Sequence, residues 1–368
     1  MEKLVLWHEM DGVGDKSKEL VEYVCEKTSE KTNTDISAET INIKDFIVNL
    51  NKIKDGGKSP DIALIPQDML YLENGLMSNV GEEYKINIDD EIWDTMKYKN
   101  EQKGIPFLRG NHIIMFYNKK CYNGPIRDWK DVQKSCKNNY CSCKIKKSVA
   151  MLKEPYWLMP FICTMSTVEF GSDYINVDPC GMQKAIDYVL ELEKNKTITM
   201  YDEINDMHTA FAEGKIGALL TGEWVYGYLF SQLGDNLGVC TLPSIDGNIM
   251  TGISTTVGMV FPNNAVESDK KCVIDKYVEL MLSDDIQRRW FNDYKRLPIT
   301  NNIYSEISKN TDENWSEMIK QMNKNQMIYN STALFDFWKY MDKIVVCLED
   351  KEKVQKYSKL ITELGNKK

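Results

Sequence analysis

Two short stretches of this 368-residue sequence set an aromatic ring beside a carboxylate: Glu154-Pro155-Tyr156-Trp157 and Gly222-Glu223-Trp224. A third, Trp7-His8-Glu9-Met10-Asp11-Gly12, adds imidazole to the same mixture, and Trp338 and Tyr340 follow near the end of the chain. Flat rings next to acceptor oxygens suit a ligand with an apolar ring face and a rim of hydroxyls, as a sugar has. Any one of these aromatics taken alone reads more simply as a core residue. The charged or chain-breaking neighbour beside the ring is what turns the reading towards the mouth of an α/β crevice.

Other chemistries lack their residues. The histidines are His8, His112 and His208, and none stands in the His-Glu-x-x-His spacing of a zinc enzyme. Neither a Gly-x-Ser-x-Gly nucleophile elbow nor a Gly-x4-Gly-Lys phosphate loop occurs. Ten cysteines are scattered along the chain, unlike the dense framework of a small secreted scaffold. The tightest group, Cys136, Cys141 and Cys143, has no second pair and no nearby histidine to complete a zinc site. No metal and no cofactor is expected. The net charge is −9 with acidic and basic residues interspersed, which argues against nucleic acid or an anionic membrane as partner. No apolar run approaches the roughly 18 residues of a membrane span. The chain enters a strand-like segment at once, so it reads either as cytoplasmic or as a form whose leader has been removed.

The elements that must carry these residues alternate between two periods. Lys3–Trp7 and Asp61–Ile65 read as buried strands, with a helical stripe through Leu20, Val21, Val24, Cys25 and Thr28 between them. Strands alternating with helices imply βαβ units and a mostly parallel sheet. Ile113–Tyr117, Ile216–Thr221 and Val257–Pro262 read as further strands. Asp178-Pro179 signals a helix start, with Ala185, Tyr188, Val189 and Leu192 on one face. Asp269–Leu282 reads as a helix with Val273, Tyr277, Leu280 and Met281 inward, and a last helical region holds Trp338, Met341, Val345 and Leu348. The length exceeds the roughly 250–300 residues at which one core stops growing, so two domains are expected. With no low-complexity tether, they read as interleaved.

A set of motifs in register then resembles the sugar-binding proteins of bacterial ABC importers, the maltose-binding type. They are Lys3-Leu-Val-Leu-Trp7, Ser59-Pro60-Asp61-Ile62, Ile105-Pro106, Phe116-Tyr117-Asn118-Lys119, Arg127-Asp128-Trp129, Glu154-Pro155-Tyr156-Trp157, Phe211-Ala212-Glu213-Gly214-Lys215, Gly222-Glu223-Trp224, Leu297-Pro298-Ile299 and Phe337-Trp338. The resemblance implies an α/β fold of the two-lobed, type II periplasmic-binding kind, with a ligand cleft and hinge between interleaved lobes. Residues 1–110 with 257–303 would form the N-terminal lobe, and 111–256 with 304–368 the C-terminal lobe. It implies that Asp11 and Asp68 take sugar hydroxyls, that Glu154 and Tyr156 form a polar and stacking pair, and that Trp224 and Trp338 stack on the sugar. Asn111 stands where the family has a glutamate near the hinge, and His8, Glu9 and His112 flank cleft positions. Ile65 replaces a third stacking tryptophan, while Gly12, Met69 and Asp342 replace three cations, which disfavours a phosphorylated ligand.

The expected protein is therefore a monomeric, non-enzymatic binder that passes a neutral mono- or oligosaccharide to ABC permease subunits outside the cytoplasm, as a surface lipoprotein or in the periplasm. A sugar-sensing co-receptor without transport is the alternative. A glycan-active enzyme is the least favoured, since Asp11 or Asp68 with Glu154 could imitate a glycosidase pair only through spatial proximity.

Overall fold

A computed structural model of the chain describes residues 3–10, 12–72, 75–136, 145–171 and 174–364. They fall into two units, each assembled from separate pieces of chain. Unit one comprises residues 1–111, 255–310 and 329–331; unit two comprises 112–254, 311–328 and 332–368.

Unit one is built on a six-stranded sheet in the order Leu297–Pro298, Gly104–Arg109, Val257–Val260, Ile62–Pro66, Lys3–His8, Asp35–Thr40. Lys3–His8 pairs in parallel with both Ile62–Pro66 and Asp35–Thr40, and the remaining pairings are antiparallel. The helix Ser17–Thr32 buries Leu20, Val21, Val24, Cys25 and Thr28, the stripe its sequence announces, and ends at Asn33 in the left-handed region. It packs against the helix Lys271–Met281. That helix turns Ile274, Tyr277, Val278 and Met281 inward, so the expected inward positions Val273 and Leu280 are only half-buried. Two adjacent apolar columns run along it, and the neighbouring helix selects between them.

Unit two is built on a five-stranded sheet in the order Ile198–Tyr201, Lys146–Leu152, Ile216–Gly222, Ile113–Asn118, Leu237–Cys240. Its first two pairings are parallel and its last two antiparallel. The parallel βαβ arrangement expected of the first 110 residues holds among Lys3–His8, Asp35–Thr40 and Ile62–Pro66, but each complete sheet is mixed. The reason lies in the interleaving. Ile113–Asn118 and Val257–Val260 each follow closely on a passage of the chain from one unit to the other, and each pairs antiparallel on both sides. A strand that arrives this way has no crossover helix to force it parallel. Both are buried along their whole length, which is why they read as continuous apolar runs.

The helix Pro179–Lys194 starts as its sequence signals. The Asp178 carboxylate accepts from the backbone N–H groups of Cys180 at 3.2 Å and Gly181 at 2.8 Å, and proline occupies the first turn. Ala185, Val189 and Leu192 are buried as expected, joined by Met182 and Ile186, while Tyr188 stays half-buried. Cys25, Cys136, Cys163, Cys180, Cys240, Cys272 and Cys347 are free thiols. Cys136 ends the helix Trp129–Cys136, while Cys141 and Cys143 lie outside the described residues. Among the described residues no helix is long and apolar enough to cross a membrane, and no group of side chains is arranged to hold a metal ion.

Replacing Asp178 with alanine removes both cap acceptors, and the expected loss is about 1 kcal/mol of unfolding free energy. Urea titration of the variant beside the parent chain measures it. A change of only a few tenths would mean the cap does not hold this helix.

Candidate functional site

Three tryptophan side chains of unit two meet around Tyr156. Its ring centroid stands 6.2 Å from that of Trp157, 6.3 Å from Trp224 and 6.2 Å from Trp338, with interplanar angles of 71°, 57° and 31°. Trp157 also meets Trp224 edge-on, at 6.3 Å and 89°. Three separate elements supply them: the helix Pro155–Met165, the 3₁₀ turn Glu223–Val225 and the helix Ala333–Val346. Trp157 is buried and donates its indole N–H to the Leu220 carbonyl at 2.8 Å. Tyr156, Trp224 and Trp338 are half-buried, so each keeps part of its surface open to solvent. Glu154 immediately precedes this cluster and is half-buried too. The Trp338 Nε1 is buried without a hydrogen-bond partner among the described residues.

A glycine makes room for one of these rings. A Cβ placed on Gly222 would lie 2.0 Å from the Trp224 ring, which therefore folds directly over that glycine. Glu223, between them, is fully buried. Its carboxylate accepts the backbone N–H of His112 at 3.0 Å, and its own N–H donates to the His112 carbonyl at 3.1 Å. His112 is also fully buried, and its Nε2 lies 3.1 Å from the Met318 carbonyl. A carbonyl can only accept, so Nε2 carries the proton. Burial holds the His112 pKa below the ordinary imidazole value, against the opposing pull of Glu223. Sequence reasoning places Glu223 only as a polar neighbour of Trp224 at a crevice mouth, and the structure instead buries it. Its position between a glycine and a tryptophan at a strand end was the available signal.

The candidates of unit one are more dispersed. Asp68 lies in the turn Gln67–Leu72 that follows the strand Ile62–Pro66. The residue retains some exposed surface, yet its Oδ1 is sealed off and unpartnered among the described residues. Burial pushes its pKa up to about 6, only partly countered by a backbone hydrogen bond. His8 is fully buried, with Nδ1 accepting from the Met10 N–H at 3.3 Å and Nε2 3.3 Å from the Thr40 hydroxyl. Its pKa falls to about 4 because of that burial, so it is a neutral imidazole with both nitrogens engaged inside its own unit. Glu9 is half-buried. Asp11 lies outside the described residues. Asn111 takes a left-handed backbone, φ 48°, and donates from Nδ2 to the Thr255 hydroxyl, while Thr255 returns its N–H to the Asn111 carbonyl at 3.3 Å.

Two aromatics singled out in the sequence stand apart from these groups. Trp7 is buried in the core of unit one, with its N–H on Glu39 at 3.1 Å and its ring edge-on to Phe46. Tyr340 stacks on Tyr357 at 6.3 Å. Ile65 is fully buried in that same core. Asp342, one helical turn beyond Trp338, is exposed, and partial desolvation raises its pKa above the usual carboxylate value.

Two α/β units made of alternating pieces of one chain, with a half-open aromatic cluster on one of them, define a solute-binding fold. The sequence profile of the bacterial extracellular solute-binding protein family matches residues 24–318, and the chain belongs to that family. It is 20% identical over 323 residues to a maltooligosaccharide ABC transporter solute-binding lipoprotein of Streptococcus pneumoniae serotype 4, strain TIGR4. The protein of the same description from strain R6 matches equally. The matched region covers 81% of this chain and 74% of each relative.

Because the folded state raises the Asp68 pKa from 3.8 to about 6, it holds a proton that the unfolded chain releases between those values. Stability therefore falls as pH rises through the window from about 4 to 6. The Asp68→Asn variant is expected to lose that decline and to unfold at higher urea than the parent at pH 7. Denaturant midpoints measured every half pH unit check this; parallel curves for the two proteins would show that Asp68 is not desolvated.

Proposed function

We propose that this protein is the capture component of an ABC importer for a neutral mono- or oligosaccharide, acting outside the cytoplasm and not as an enzyme. The observation that carries the reading is the ring cluster, in which Trp224 and Trp338 lie against Tyr156 and all three keep open surface. Rings held in this way offer apolar faces to the C–H side of a pyranose. Glu154 supplies an acceptor beside them, and Asp68, with Asp11 by resemblance, supplies carboxylates from the other unit. The sugar first lies on the aromatic face, and closure about the passages between units brings those carboxylates to its hydroxyls. A ligand favours the closed state only through contacts it makes on both sides, so the shift equals its differential affinity. Permease subunits would then receive the closed form and take the sugar from it.

The charge pattern supports a neutral ligand. Asp342 follows Trp338 by one helical turn and sets a carboxyl group at a position where the resemblance implies a cation. The maltooligosaccharide relatives support the saccharide class. The particular sugar need not be theirs, because Ile65 brings no third ring to the site.

Thermal unfolding of the purified chain against neutral mono- and oligosaccharides tests the reading, with polyols, phosphorylated sugars and short peptides as controls. One saccharide class should raise the midpoint by mass action and be recovered uncleaved. A shift with phosphorylated sugars or peptides alone would overturn it. In calorimetry with the responding sugar, Trp224→Ala and Trp338→Ala should each cost about 1–2 kcal/mol, or about 5- to 30-fold in Kd, and more than Asp68→Ala. An inverted order would sink the stacking-first mechanism.

A further inference from the structure

We propose that Glu223 is a positioning residue that sets the Trp224 ring in the aromatic cluster by closing the sheet ladder with its side chain. The strand Ile216–Gly222 runs antiparallel to Ile113–Asn118, with Thr221 opposite Ile114 and Gly222 opposite Ile113. The next rung pairs Glu223 with His112. In a regular ladder such a pair exchanges two backbone hydrogen bonds. Here one is present, from the Glu223 N–H to the His112 carbonyl at 3.1 Å. The return bond, from the His112 N–H, goes to the Glu223 carboxylate at 3.0 Å.

With that return bond on the carboxylate, the Glu223 backbone carbonyl accepts the Tyr226 N–H instead, which closes the 3₁₀ segment Glu223–Val225 directly after the strand. The turn lifts Trp224 off the sheet and lays its ring over Gly222, against Tyr156 and Trp157. Without the carboxylate the buried His112 N–H must take another acceptor or none. The acceptor that regular geometry offers is the Glu223 carbonyl, and using it extends the strand by one residue. Strand extension turns the next side chain to the other face, which removes the ring from the cluster. His112 is a fixed target for this clamp, since its far nitrogen is held at the Met318 carbonyl and its backbone bridges to Ser254.

The role of the ring in saccharide capture rests on the function proposed above, whereas its position does not, and the test separates them. Trp157 and Trp224, at 6.3 Å and 89°, should give an exciton couplet in the far-ultraviolet circular dichroism that Trp224→Phe abolishes. Glu223→Ala should lose at least half of that couplet while keeping a cooperative unfolding transition. Glu223→Gln, which keeps an acceptor oxygen at the same reach, should retain it. With the responding saccharide, Glu223→Ala should weaken binding about 10-fold and Glu223→Gln less than 3-fold. If the alanine variant does not fold, Glu223→Asp replaces it, because its shorter side chain withdraws the acceptor while keeping the charge. An unchanged couplet in a folded alanine or aspartate variant, or equal losses in the alanine and glutamine variants, would overturn the proposal. A lost couplet in a protein whose parent form binds no sugar would leave Glu223 as the ring's positioner and overturn the saccharide reading instead.

Discussion

Large aromatic rings that remain partly open to water tend to collapse into the nearest crevice, so an exposed cluster needs a buried support. In unit two that support is Trp157. Its ring lies in the core, and its N–H reaches the Leu220 carbonyl two residues before the strand ends at Gly222 and the chain turns towards Trp224. A buried indole N–H left unpaired would cost about 1–3 kcal/mol, so this bond also fixes which way the helix Pro155–Met165 faces. Tyr156 is the preceding residue on that helix and therefore has little choice of direction. Trp224 and Trp338 come against it from elements packed on the same sheet or helix. The cluster depends on one concealed hydrogen bond more than on any contact among its visible rings.

Much of the architecture was legible because burial on both faces of a strand leaves an unbroken apolar run. Ile113–Asn118 and Ile216–Gly222 are such runs, and both are strands. The Asp178-Pro179 helix start was legible for a different reason, since the cap uses only local groups. What the sequence could not announce was strand direction. Parallel and antiparallel partners demand the same apolar pattern, and direction in this chain is decided by where it passes between units. The strand Lys146–Leu152 also escaped notice, because it opens with Lys146 and Lys147 after a polar, cysteine-rich stretch.

The candidate site divides along the same line. Tyr156, Trp224 and Trp338 could be picked out because ring type and a polar neighbour are properties of the sequence, and the fold brings all three together. Trp7 carries a similar neighbourhood yet belongs to the core, where Phe46 covers it. Local context does not reveal which face of a sheet a ring will meet. His8 illustrates the same limit: its two nitrogens are taken by Met10 and Thr40, a pairing that depends on Lys3–His8 lying beside Asp35–Thr40. Glu223 was the least legible of all, a carboxylate whose partner is a backbone N–H more than a hundred residues earlier in the chain.

The piecewise assembly of unit one also bears on how the chain comes into being. Val257–Val260 sits between Gly104–Arg109 and Ile62–Pro66 and pairs with both. As the chain is synthesised, those two earlier strands each present a bare edge until residue 260 has emerged, more than two-thirds of the way along. Unpaired apolar edges recruit other chains. The nascent protein must therefore be kept extended or shielded for most of its synthesis, and a truncated product ending in unit two would carry an open sheet. Neither unit can be obtained by cutting the gene at a single point.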